Sequence, residues 1–471
     1  MIKFGTGGWR AIIGDDFIRE NIVKVATGLA KVMKEENKMD KPVMVGFDRR
    51  FLSEPAAKWI AQTLAANGID VWFTGRSTPT PLVMFICKEK QLHFGVEVTA
   101  SHNPADYNGI KLFVHDGRDA PIEFTERVEE LIANLTPEDI KCMPFDEAVA
   151  AGKITYPKDL FNEFVDSIMA RLDMNAIRKR GPRILFNPMH GSGSYPLNVL
   201  LHIARCTVDT INSNKDAFFG GSLPAPAPDT LYEMAKQVQN GHYDLGIAVD
   251  GDGDRLGIID PNGMYVDANQ ILCMLYYYLH EYRGWKGPVV RNLATTHMLD
   301  AMAASFGEEC YEVPVGFKWV SSKLEEKDAV LGGESSGGLT VRGHIFGKDS
   351  IYAAALFVEM MSATGKSPVE FYAELTEKYG HFEMAEDNLH FRMEEKDRIV
   401  NLLMVEKKLP DFGKKVVRVN YEDGCKVYFE DNSFVICRFS GTEPLLRIFA
   451  EADERANAQK LIDCMKKFVN V

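Results

Sequence analysis

Short apolar, β-branched runs alternate with amphipathic stretches through most of this chain, and the alternation repeats. Val43–Phe47, residues 69–73 and Phe94–Val98 have the length and composition of buried strands. Between them, residues 55–67 and 81–88 carry helical spacing, the first ended by Gly68. The rhythm returns at residues 184–186, 208–211 and Leu245–Val249, and again at 289–290, Cys310–Val313 and 329–331. Strands separated by helices at this spacing predict α/β layers. Three similar units are the economical reading, although residue-level identity between them is weak. Beyond residue 370 the pattern changes. Residues 415–419, Cys425–Phe429, Phe434–Phe439 and 446–450 predict an antiparallel sheet, closed by an amphipathic helix over 456–468.

The fold class predicted is α/β: three similar mixed α/β domains over 1–152, 153–257 and 258–370, and a smaller C-terminal α+β domain over 371–471. Joined near residue 380, the last domain is expected to swing, as linked domains do by default. In each α/β unit a polar loop follows the last strand, and these loops hold Ser101, Asp250 and Glu334.

Length and charge narrow the classes. A chain of 471 residues exceeds one ordinary core. No run of eighteen apolar residues exists, so no membrane span is expected; residues 268–280 read as a buried helix. No signal peptide pattern opens the sequence, and the eight cysteines include no Cys-X-X-Cys pair. Buried, reduced thiols and a cytoplasmic location are the expectation. A net charge of −13 argues against nucleic acid as a partner. It also requires that any site for a phosphorylated substrate gather its cations locally, with Arg10, Lys111, Arg255, Arg438 and Arg447 as candidates.

Four loops carry candidate chemistry. In Thr99-Ala100-Ser101-His102-Asn103-Pro104 the strand ending at Val98 stops abruptly, leaving a hydroxyl on a rigid support where a nucleophile could act; a capping serine is the plain alternative. Asp250, Asp252 and Asp254, at i, i+2 and i+4 with glycines between, would face one side of an extended segment and suit a hard cation with oxygen ligands. An EF-hand is excluded, because its sixth position is Arg255 and its twelfth Pro261. A solvated acidic turn is the bland alternative. Gly333-Glu334-Ser335-Ser336-Gly337 matches a nucleophile elbow, but Gly338-Leu339-Thr340-Val341 is a poor helix start, which disfavours a hydrolase. Arg438-Phe439-Ser440-Gly441-Thr442, with Arg447 on the next strand, combines guanidinium donors with a glycine amide suited to phosphate, or is merely a hairpin turn.

Together with Phe4-Gly5-Thr6-Gly7-Gly8-Trp9-Arg10, these loops in this order resemble the α-D-phosphohexomutase family, the phosphoglucomutases and phosphomannomutases, across essentially the whole chain. The resemblance implies four domains around a central cleft. It implies transfer of phosphate between the 1- and 6-positions of a hexose through a phosphoserine and a hexose 1,6-bisphosphate. Ser101 would carry the phosphate and, with Asp250, Asp252 and Asp254, ligate Mg²⁺. Arg10, Lys111 and Arg255 are matched to the neighbourhood of the reacting phosphate. His102 would orient the serine or relay a proton, or be a structural histidine at a turn. Lys348 resembles a lysine near the sugar in the phosphoglucomutase branch. Lys318, in Gly316-Phe317-Lys318, would face the sugar together with Glu334 and Ser336. Arg438, Ser440, Gly441, Thr442 and Arg447 would hold the phosphate that is not reacting. Two departures stand out: many bacterial phosphomannomutase-type members carry histidine where this chain has Gly338, and Ser335 stands where bulkier residues are usual.

The expected substrates are glucose and mannose phosphates, somewhat favouring glucose, with glucosamine phosphate as the alternative sugar. A metal-dependent phosphohydrolase and a non-catalytic sugar-phosphate sensor are the alternative functions. The expected assembly is a monomer or a homodimer.

Overall fold

The computed structural model describes residues 2–5, 7–439 and 445–470. By compactness they fall into two units, one comprising residues up to Ala268 with Ser336–Pro368, the other Asn269–Ser335 with residues from Val369 onward.

The first unit opens with a sheet of β1 (Trp9–Ile12), β2 (Val43–Phe47), β3 (Val71–Phe73), β4 (Phe94–Val98), β5 (Tyr107–Val114), β6 (Arg118–Asp119) and β7 (Ile154–Thr155). Their order is β1-β5-β4-β2-β3-β7, with β6 on β5. β2 runs parallel to β3 and β4, and every residue of β2 and β4 is buried. Continuous apolar runs are what strands covered on both faces require, and the helices Ser53–Ala66 and Thr80–Glu89 pack on β2. β4 and β5 form an antiparallel hairpin whose loop holds Ser101, with Glu97 opposite Lys111. β1 adds along β5, setting Arg10 opposite Gly109. A Cβ at Gly109 would lie 2.3 Å from the Trp9 carbonyl and 2.8 Å from that of Thr99, so only glycine lets these three strands meet.

A second sheet contains β8 (Arg183–Asn187), β9 (Thr207–Thr210), β10 (Leu245–Val249), β11 (Leu256–Ile259) and β12 (Tyr265–Val266), ordered β12-β11-β10-β8-β9. β10 is parallel to β8 and antiparallel to β11, so residues 250–255 close a hairpin. The divisions expected at 152 and 257 both meet continuous sheets: β7 pairs with β3 beyond Gly152, and Gly257 lies within β11.

In the second unit β13 (Val289–Asn292) runs parallel to β14 (Cys310–Val313) and β15 (Leu331–Gly333). β16 (Leu339–Val341) and the helix Ser350–Thr364 belong to the first unit. That helix is buried almost throughout, begins at Asp349, whose side chain accepts the Ile351 and Tyr352 amides, and stops at Gly365 with φ 74°. The second unit closes with β17 (Glu383–His390), β18 (Val416–Asn420), β19 (Cys425–Phe429), β20 (Phe434–Phe439) and β21 (Leu445–Ala452). They form an antiparallel sheet ordered β17-β21-β20-β19-β18, with the helix Arg455–Val469 packed on it. The chain thus has three mixed α/β domains and a C-terminal antiparallel-sheet domain.

The C-terminal sheet is tied to the β13–β15 layer by buried charge. Lys426, fully buried on β19, donates to the Leu293 carbonyl and to Glu312 Oε2, both at 2.7 Å. Glu312 also accepts from Arg291 at 2.7 Å and from the Tyr428 hydroxyl. Breaking such a pair leaves an uncompensated buried charge, so these contacts oppose free swinging of the sheet on that layer.

Among the described residues no helix is long and apolar enough to cross a membrane, and all eight cysteines are free.

Candidate active site

Strand β1, the β4–β5 hairpin, the β10–β11 hairpin and the segment before the helix Ser350–Thr364 deliver nine of the expected residues to one place in the first unit. Ser101 is fully buried, and its Oγ donates to Asp250 Oδ2 at 2.9 Å. His102 Nδ1 lies 3.3 Å from the same hydroxyl. Burial, then the nearby Arg255 and Arg10 charges, push the His102 pKa well below the ordinary histidine value. The protonated ring is thereby disfavoured, and the hydroxyl hydrogen is directed to Asp250.

Asp250, Asp252 and Asp254 are all buried, and one oxygen from each lies within 4.8 Å of the others. They do not converge along an extended segment, as their spacing suggested. The hairpin loop turns sharply: Gly253 has φ 73°, its amide bonds the Asp250 carbonyl at 3.0 Å, and Asp250 Oδ1 accepts the Asp254 amide at 2.8 Å. Neighbours fix the loop from outside. The Ser192 amide donates to the Gly251 carbonyl at 3.0 Å, the Thr80 amide to that of Asp252 at 2.9 Å, and Ser350 Oγ to that of Gly253 at 2.6 Å. The reading as a solvated turn does not survive this burial.

The cations face these carboxylates. Lys111, itself buried, donates to Asp252 Oδ2 at 2.6 Å and Asp254 Oδ2 at 2.8 Å. Lys348 Nζ is 3.0 Å from Asp254 Oδ2, and Arg255 Nε 3.8 Å from Asp254 Oδ1. Arg10 is held by Asn103 Oδ1 at 2.6 Å. Burial raises the carboxyl pKa values, but for Asp254 the Lys111, Lys348 and Arg255 charges outweigh it and hold the group well below the usual range. For Asp252 the opposing burial and the Asp254 charge are overcome by Lys111 and the Thr80 hydroxyl. Asp250, with burial first and its two acidic neighbours next, is pushed well above that range. Asp252 Oδ1 and Asp254 Oδ1 are buried without any hydrogen bond. Buried carboxylate oxygens left without donors, in an all-oxygen set, fit a hard divalent cation.

Lys348 runs across Gly338. A Cβ there would lie 2.2 Å from Lys348 Cδ and 2.9 Å from Cγ. The absence of a histidine at 338 and the presence of Lys348 are thus one feature, since a side chain at 338 and the lysine would claim the same space.

The second unit assembles a different set. Glu334 is buried, and its Oε1 accepts from Asn292 Nδ2 and the Gly316 amide, each at 3.0 Å. Lys318 stands in the first turn of the helix Phe317–Lys327. Arg438 lies directly opposite Arg447 across β20 and β21, a like-charged pair that a bound anion would relieve. Asp423 ties these parts together: it accepts the Val315 amide at 2.9 Å and pairs with Arg438 Nε at 3.4 Å. Ser336 is exposed at the start of the returning segment of the first unit. Ser440, Gly441 and Thr442 lie outside the described residues.

Sequence reasoning missed Asp48, Arg50 and Thr99 around Ser101, and Asp423 in the second unit. The pair Asp48 and Arg50 directly follows β2, at the same strand end as Ser101 follows β4. That was the available signal.

Comparison with known proteins agrees along the whole chain. Residues 1–139, 162–263 and 267–379 match phosphoglucomutase/phosphomannomutase alpha/beta/alpha domains I, II and III, and residues 389–467 match the C-terminal domain of that family. A phosphoglucomutase/phosphomannomutase of Thermococcus kodakarensis is 31% identical over 460 residues, covering 98% of this chain and 96% of that protein. A phosphoglucosamine/phosphogalactosamine mutase of Sulfurisphaera tokodaii is 26% identical, covering 99% and 98%. A Thermus thermophilus crystal structure assigned as a phosphomannomutase superposes with a TM-score of 0.85 at 28% identity, covering 100% and 99%. With all four domains matched in order over the site just described, the chain belongs to the α-D-phosphohexomutase superfamily and is a phosphohexomutase.

Proposed function

We propose that this mutase interconverts the 1- and 6-phosphates of glucose and mannose, with Ser101 as the phosphate carrier. The observation that supports it most is the Ser101 hydroxyl, buried 2.9 Å from Asp250 beside carboxylate oxygens that have no donors. In this reading the phosphorylated Ser101 gives its phosphate to the free hydroxyl of a hexose monophosphate. The bisphosphate turns over in the site and returns its other phosphate to Ser101. Asp250, Asp252, Asp254 and Ser101 would hold Mg²⁺, which when bound supplies positive charge at the transferring phosphate. Lys111, Arg10 and Arg255 neutralise the equatorial oxygens of that phosphate, and Lys348 reaches the sugar. His102 orients the Ser101 oxygen or relays its proton. Glu334, Ser336 and Lys318 bind sugar hydroxyls, and Arg438 and Arg447 with Ser440, Gly441 and Thr442 hold the distal phosphate.

The test is intact-mass measurement of dephosphorylated protein mixed with glucose 1,6-bisphosphate. The native chain is expected to gain one phosphate and Ser101→Ala none, with mutase activity lost in parallel. Phosphate uptake by Ser101→Ala refutes the assignment. The similarity to a phosphoglucosamine/phosphogalactosamine mutase supports glucosamine 1-phosphate as the second substrate to assay.

A further inference from the structure

Ser101 has φ 52°, the left-handed region that a serine avoids, and it is fully buried there. A strained residue at a reactive position persists only where its surroundings over-determine it. Three residues outside the set proposed for the reaction do so. The Ser101 amide donates to Thr99 Oγ1 at 2.8 Å, and that hydroxyl donates to Asp48 Oδ2 at 2.7 Å. Asp48 pairs with Arg50 Nε at 3.4 Å, and its Oδ1 accepts the Arg50 amide at 2.9 Å and Ser53 Oγ at 2.6 Å. Arg50 Nη2 then donates to the Ser101 carbonyl at 2.6 Å, closing the ring. The same guanidinium donates to the carbonyls of Asn103, Pro104 and Tyr107 at 2.6, 2.7 and 3.1 Å. Asp48, Arg50 and Thr99 are each nearly inaccessible. On the opposite side the Ser101 carbonyl abuts Gly251, where a Cβ would stand 2.7 Å from it.

We propose that Asp48, Arg50 and Thr99 are positioning residues that force Ser101 into the left-handed conformation and thereby keep its hydroxyl on Asp250. The proposal rests on the reading of Ser101 as the phosphate carrier. Both the amide and the carbonyl of Ser101 are captured by this ring. Its side-chain direction is therefore set by the backbone and not by substrate. Arg50 donates a hydrogen bond to no reacting atom; it acts through its bonds to the loop and through a charge that Asp250 and Asp252 also feel.

Thr99→Val tests it, because it removes the shared hydroxyl with little change of shape. Single-turnover phosphate uptake from glucose 1,6-bisphosphate by the dephosphorylated protein is expected to slow by at least about 10-fold. Binding of glucose 6-phosphate, measured by calorimetry, should stay within about 3-fold. Arg50→Lys, which retains charge but not the fork of donors, should slow uptake likewise. An activity-free readout comes from melting. Ser101→Gly should melt about 1–2 °C above Ser101→Ala, because glycine accepts positive φ, and the gap should shrink in the Thr99→Val background. Uptake at the native rate in Thr99→Val, or an unchanged gap between the Ser101→Gly and Ser101→Ala proteins in that background, overturns the proposal. Phosphate uptake by Ser101→Ala instead overturns the carrier assignment, and the melting comparison still judges the ring.

Discussion

Gly338→Ala adds one methyl group where Lys348 passes. The new Cβ would stand 2.2 Å from Lys348 Cδ, 2.9 Å from Cγ and 3.6 Å from Cβ. Carbon atoms rest at about 3.5–4.0 Å, so the lysine stem must move by more than ~1 Å. Gly338 is not in the left-handed region, so the alanine meets no backbone penalty and the contact alone decides the outcome. Two responses are open. If Lys348 stays, overpacking costs about 1–3 kcal/mol. If it leaves, Nζ gives up Asp254 Oδ2, now 3.0 Å away, and a hydrogen bond to a charged group is worth about 1.5–3 kcal/mol. A loss of about 2 kcal/mol in transition-state stabilisation corresponds to a kcat/KM about 30-fold lower. The assay is steady-state turnover of glucose 1-phosphate by Gly338→Ala, Lys348→Ala and the double variant, with melting temperatures alongside. The two substitutions act on one contact, so Gly338→Ala should cost less than about 2-fold in the Lys348→Ala background. Native kcat/KM in Lys348→Ala, or additive losses in the double variant, would show that Lys348 does not act from this position.

Asp252→Asn removes charge from the carboxylate cluster and should lower kcat by at least about 10²-fold, while chelator should inhibit the native protein reversibly; full turnover in metal-free buffer refutes the metal reading. Glu451 is buried with Oε2 lacking a partner, and burial pushes its pKa up from 4.5 to about 7. The folded state thus holds a proton that the unfolded state releases between those values, so this group's contribution is full below pH 4.5 and is lost by pH 7, up to about 3 kcal/mol. Denaturant melts at pH 5 and pH 7 should show Glu451→Gln gaining stability relative to native across that window; a pH-independent difference refutes it. Lys426, which burial lowers from 10.5 to about 7, acts above that window. Under the proposed reaction the bisphosphate would bind in two orientations, which works against a single pocket reading C2, so kcat/KM for glucose and mannose 1-phosphates should differ by less than about 10³-fold; a larger ratio means a C2 contact exists.

The sequence by itself determined what a local pattern can report. Val43–Phe47, Phe94–Val98, Leu245–Val249, Cys425–Phe429 and Phe434–Phe439 appear with the bounds expected, because each is a short run rich in apolar and β-branched residues, with Glu97, Lys426 and Arg438 the only charges among them. Ser101 and the three aspartates were legible because each follows such a strand. β5 and β17 were not. Asn108, Gly109 and Lys111 interrupt one, and Glu383, Glu386, Asp387 and Asn388 the other, and each exists because a partner strand supplies its hydrogen bonds. The tight turn that gathers Asp250, Asp252 and Asp254 depends on β11 pairing back along β10. Arg50 reaches Ser101 across 51 positions and Lys426 reaches Leu293 across 133. The return of Ser336–Pro368 to the first unit is equally invisible in composition. Periodicity shows that a face is buried and is silent about what buries it. Hydrogen bonds and ion pairs between distant segments belong to the packed chain, so the tertiary structure alone decided which charges meet Ser101 and what holds it in place.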